Sequence, residues 1–209
     1  MTLMLFVKGL VLGVAIAAPL GPIGLLCINR TLERGFWAGV AGGLGTALAD
    51  ATYAMLAAAG FAAFAATLAT LSVPLGLIGG LFMLWLGWRG LRPTPTATAV
   101  EVDSRGLARM VAATFLLTMG NPTTILSFAA IFAGLGLAAI GDRMNTSIVV
   151  AGVFLGSLAW WFALSAGVAF ARAKLPERFA AWMSRFSGLI LIGFGVAALA
   201  SAGAGLIDR

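Results

Sequence analysis

The 209-residue chain contains no histidine, a single cysteine and only seven carboxylates. Without histidine or a pair of thiolates it cannot assemble a Ser-His-Asp triad, a zinc site or haem ligation, so neither an enzyme nor a bound cofactor is expected. Cys27 has no partner for an intrachain disulfide and is read as filling space. Charge is scarce as well: 10% of residues are charged, 61% are hydrophobic, and mean hydropathy is +1.06. A soluble domain could not keep a solvated surface with that composition, so the chain reads as an integral membrane protein. Its charges still sum to +6, with a pI near 11.1. In a soluble protein that excess would point to nucleic acid. Here it is explained by loops held at an anionic membrane face, and no nucleic-acid partner is expected.

What the chain does have is long apolar runs. A helix needs about 20 apolar residues to span the hydrocarbon, and six runs qualify: Leu3 to Ile28, Phe36 to Ala62, Val73 to Leu91, Leu107 to Ala139, Ser147 to Phe170 and Phe186 to Leu206. The expected fold is therefore all-α, a six-helix transmembrane bundle forming one domain over residues 1–209. Met1 to Pro19 has an apolar run and a small-residue ending like those of a signal peptide. Lys8 lies inside that run and not before it, so the segment is read as a retained first span.

Ten of the thirteen basic residues fall in the connections after spans one, three and five, among them Arg30, Arg34, Arg89, Arg109 and Arg185. The positive-inside rule places those connections in the cytoplasm and both termini on the other side of a bacterial-type inner membrane. The polar stretch after span three divides the chain into a half-repeat at 1–92, a cytoplasmic linker at 93–106 and a second half-repeat at 107–209. Three spans per half force the second half to be inverted relative to the first.

Each half opens on a span that cannot stay helical throughout. Pro19, Gly21 and Pro22 interrupt the first run and Gly120, Asn121 and Pro122 the fourth. Proline removes a backbone donor, and in hydrocarbon the freed carbonyls must be satisfied by protein or by a watery cavity. Paired interruptions in the two halves are the sequence mark of a transporter's midplane site. A half-helix starting after such a break offers unpaired N–H groups and a positive dipole end to a carboxylate.

Asp50 is the only carboxylate near the middle of a span; the other six lie in or beside loops. A charge at that depth costs at least about 2.5 kcal/mol, so it must be neutralised, paired or exposed to water. Thr46, Asp50 and Tyr53 share one helix face, as do Thr114, Thr118 and Asn121, while Ser157, Trp161 and Ser165 are spaced by four. Singly, such hydroxyls more often bond back to their own turn than to a ligand. Glycines four apart, including Gly9 with Gly13 and Gly152 with Gly156, read first as close helix packing.

The run Pro19-Leu20-Gly21-Pro22-Ile23-Gly24, followed by Asn29-Arg30-Thr31-Leu32-Glu33-Arg34-Gly35 and the glycine-rich approach to Asp50, resembles the LysE family of amino-acid exporters. Leu86-Gly87-Trp88-Arg89, Gly120-Asn121-Pro122-Thr123, Arg185-Phe186-Ser187-Gly188 and Gly193-Phe194-Gly195 are similar to its later landmarks. The resemblance implies a proton-coupled inner-membrane exporter of amino acids or related zwitterionic metabolites, surrounded by lipid and able to form a homodimer. It also implies that Gly21, Pro22, Asn121, Pro122 and Asp50 belong to the pocket. Family members often carry glycine where Ala49 stands and lysine where Thr123 stands. With one buried acid, a dibasic passenger would have little to neutralise its second charge, which favours a neutral or zwitterionic substrate.

The expected site is thus Asp50, Gly21, Pro22, Thr46, Tyr53, Thr118, Asn121, Pro122 and Trp161, binding substrate and proton in turn by alternating access, with no metal. The competing expectation is a non-transporting interaction or assembly subunit. Dry packing over Asp50 and no space beside Pro22 and Pro122 would favour it.

Overall fold

The computed structural model describes residues 2–19, 21–91, 104–121, 124, 128, 143–172, 174 and 177–207. Among these the structure is helical: α1 (Thr2–Ala17), α2 (Pro22–Arg34), α3 (Phe36–Leu91), α4 (Ser104–Met119), α5 (Arg143–Arg172) and α6 (Glu177–Ile207). The linker at 93–106 lies outside the described residues up to position 103, and its last three residues already belong to α4.

Composition and length alone qualify two described helices as membrane spans, Met144–Arg172 and Trp182–Ala204. A third span is available if α1 and α2, which meet at 82°, are halves of one broken crossing. That bend falls at Ala18–Gly21, where the sequence places its first interruption. Pro22 then occupies the first turn of α2, where its missing N–H breaks no helical bond.

Spans two and three, expected as separate helices, form the single 56-residue element α3. A straight helix of that length would extend roughly 84 Å at about 1.5 Å per residue. Yet Arg34, just before α3, and Arg89, near its end, line one cavity. The element must therefore double back, with an arm over residues 36–57 and a returning arm at Leu77–Leu91. Gly35 makes the turn from α2 into α3 with φ +88°, a left-handed conformation that favours glycine, and its N–H bonds the Thr31 carbonyl at 2.9 Å.

Glycine sets the main helix contacts. A Cβ added at Gly9, Gly13, Gly152 or Gly156 would come within 3.0 Å of backbone across the α1–α5 crossing. The returning arm of α3 meets α6 in the same way at Gly87 and Gly188, and the first arm meets α4 at Gly45. The glycine spacing thus works as close packing, the source of helix association where lipid removes the hydrophobic incentive. Large apolar side chains face outward, including Leu3, Val11, Ile78, Leu116 and Leu189, while Asp50, Thr46, Thr118, Ser157 and Ser165 are buried. Apolar outside and polar inside is the arrangement that suits a lipid surround.

Candidate functional site

The first arm of α3 places Thr46, Asp50 and Tyr53 on one buried face, as their spacing predicts. Asp50 is 1% exposed, and its Oδ2 accepts a hydrogen bond at 2.7 Å from Ser157 Oγ of α5. Ser157 was visible only as part of the Ser157-Trp161-Ser165 spacing; its pairing with the acid depends on how α5 lies against α3. The next residue of that stripe, Trp161, is 3% exposed, and its Nε1 is buried without a hydrogen-bond partner.

These groups meet at the α1–α2 break. A cavity of about 280 Å³ is lined by Gly21, Pro22, Thr46, Asp50, Thr118, Asn121 and Trp161, together with Pro19, Ile23, Gly24, Thr124 and Phe194 among others. Seven of the nine expected site residues therefore share one space. Pro122 lies outside the described residues. Tyr53 is brought near but does not line the cavity: its hydroxyl donates to the Met119 carbonyl at 2.5 Å and its ring packs on Phe128. It satisfies a carbonyl at the end of α4, a supporting task that its shared face with Asp50 did not distinguish from lining. Phe194 of α6 was missed as a site residue, because one aromatic in an apolar span has no periodic signal; only its flanking glycines marked the place.

The cavity lining combines hydrogen-bond donors with one carboxylate. At the start of α2, Gly21 is the N-cap and provides no side-chain cap, so the N–H groups of Ile23 and Gly24 are not met by a capping side chain. That helix start gives the cavity hydrogen-bond donors and a dipole's positive end, and the unpartnered Trp161 indole N–H is a further donor from α5. Asp50 is the only charged side chain in the lining among the described residues. Thr46 and Thr118 donate to their own helix, to Gly42 O at 3.4 Å and Thr114 O at 2.8 Å. Their oxygens retain lone pairs that can accept from a ligand. Thr114, on the same face of α4, instead ties the helices together through Gly42 O at 2.7 Å. No cluster of possible metal ligands occurs among the described residues.

Comparison with known proteins identifies the family. The chain is 27% identical over 197 residues to a putative amino acid efflux protein of Bacillus subtilis, covering 91% of this chain and 93% of that one. It is 31% identical over 167 residues to an arginine exporter protein of Pectobacterium carotovorum, covering 77% and 78%. Over 127 residues it is 26% identical to a threonine efflux protein of Escherichia coli, covering 56% and 60%. No solved structure matches. Residues 14–202 match the model of the LysE type translocator, and the chain therefore belongs to the LysE family, whose members are membrane transporters and not enzymes.

Proposed function

We propose that the protein exports amino acids or related small zwitterions across the inner membrane, exchanging them for protons at the cavity beside Asp50. The observation that carries this is the joining of opposite polarities in one space. The uncapped start of α2 and the Trp161 indole suit a carboxylate, and the Asp50 carboxylate lining the same cavity suits an ammonium. Amino-acid efflux in the relatives' names accords with a zwitterion of this kind. The single acid favours a neutral amino acid over a dibasic one.

Inverted halves are supported by the helix pairing. Exchanging spans one, two and three with four, five and six converts the α1–α5 contact into that between α4 and the first arm of α3, and both are present. The same exchange maps the α3–α6 contact onto itself, and that contact is the most extensive among the described helices. Rocking of such halves about the cavity would expose it to each side in turn. Asp50 would then release a proton when it takes the substrate's ammonium and recover it when the substrate leaves.

Counterflow of a labelled amino-acid panel into proteoliposomes tests the proposal. Native protein should exchange at least one neutral amino acid, with dependence on a proton gradient, and Asp50→Asn should abolish that dependence. Proton-coupled exchange by Asp50→Asn would remove Asp50 from the coupling role.

A further inference from the structure

A larger cavity, about 480 Å³, opens at the other end of α2 and has no role in the site above. Among the described residues, Arg30 and Arg34 of α2, Arg89 of α3 and Arg109 of α4 line it, against one carboxylate, Glu33. Glu33 is already engaged, accepting from Ser184 Oγ of α6 at 2.9 Å. The charges of Arg34 and Arg89 oppose that of Arg30, with Glu33 acting the other way. Arg30 lines the recess half-buried, and Arg34, Arg89 and Arg109 line it from three helices as exposed residues, with the Arg89 guanidinium 5.0 Å from the Trp85 ring centroid. Asn29, 7% exposed, also lines the recess, and its Oδ1 is buried with no hydrogen-bond partner.

A third space of about 10 Å³ is lined by Pro22, Ile23, Met83, Leu117, Asn121 and Leu191. Pro22, Ile23 and Asn121 also border the central cavity, and Leu191 also borders the recess. A space that small holds about one water molecule, and its shared lining residues place it next to both chambers.

We propose that the arginine-lined recess is a second binding site, selective for oxyanions, which takes the carboxylate of an amino acid before it reaches the central cavity. Guanidinium groups bind carboxylate and phosphate through paired, charge-assisted hydrogen bonds. The unpartnered Asn29 oxygen suits the ammonium of the same molecule. The net positive lining of the described residues concentrates anions at the mouth, turns a zwitterion's carboxylate inward and repels passengers with extra positive charge. Only the identity of the passenger depends on the exporter proposal; the oxyanion site does not.

The test uses the full chain in phosphatidylcholine nanodiscs, with thermal unfolding as the readout, since a ligand of the folded state raises apparent stability. Succinate and inorganic phosphate should raise the unfolding temperature, and agmatine, a dication without a carboxylate, should not. Arg30→Gln and Arg109→Gln, on different helices, should each weaken succinate binding about tenfold or more, the loss of one charge-assisted bond. Asp50→Asn should keep the succinate response. A response to phosphatidylglycerol in the nanodisc but to no dissolved anion, again lost in the arginine variants, would support the oxyanion site with a lipid phosphate as its source. Absence of any anion response, or an undiminished one in Arg109→Gln, would overturn it. Succinate binding without amino-acid counterflow would refute the exporter proposal alone; counterflow without anion binding would refute the recess alone.

Discussion

Replacing Trp161 with phenylalanine separates ligand binding from folding at the central cavity. The indole N–H is buried with no partner, so in the empty protein it contributes no hydrogen bond and carries a desolvation cost of about 1–3 kcal/mol. Trp161→Phe removes that cost and leaves a small void worth about 1–2 kcal/mol in the other direction. These nearly cancel, so the unfolding temperature of the ligand-free protein should stay within about 4 °C of native. If the N–H donates to a bound carboxylate, the variant forfeits a charge-assisted bond of about 1.5–3 kcal/mol, a loss of roughly 10- to 150-fold in affinity. Trp160 is the internal control: its Nε1 is also buried without a partner, but Trp160 does not line the cavity. Trp160→Phe should leave affinity unchanged. Substrate titrations read by counterflow and by thermal shift check both variants. Native affinity in Trp161→Phe, or an equal loss in Trp160→Phe, would refute a carboxylate at the indole.

Three further outcomes follow from the packing. Gly13→Ala places a Cβ against the Val153 carbonyl and should destabilise the α1–α5 crossing by about 1–3 kcal/mol, whereas Gly193→Ala, with nothing within 4 Å of the new atom, should be neutral or stabilising; thermal melts of the two decide this. Tyr53→Phe deprives the Met119 carbonyl of its donor and should lower stability by about 1–3 kcal/mol while leaving substrate affinity near native, because the hydroxyl lies outside the cavity lining. Ser157→Ala takes the donor from Asp50 Oδ2 and should slow proton-coupled counterflow by about tenfold, less than Asp50→Asn does; a native rate would mean the acid does not rely on that bond.

Much of this molecule is written in one-dimensional chemistry. Membrane residence follows from composition alone, since 61% hydrophobic residues leave no polar surface to solvate. The break at Gly21-Pro22 follows from proline's missing donor, and the choice of Asp50 as a candidate from the cost of a charge among apolar neighbours. Such features are local: they depend on a residue and its own turn.

Partnership was decided elsewhere. Ser157 binds Asp50 across 107 positions of sequence, Tyr53 turns from the cavity to the Met119 carbonyl, and Phe194 closes a wall from the last helix. The doubling back of α3, which brings Arg89 to Arg30 and Arg34, is likewise invisible in spacing, because periodicity specifies the face a residue occupies and not what that face meets. Those meetings are set by glycine crossings, where backbones approach so closely that a single added carbon would part them, and only the packed bundle determines which glycine lies against which.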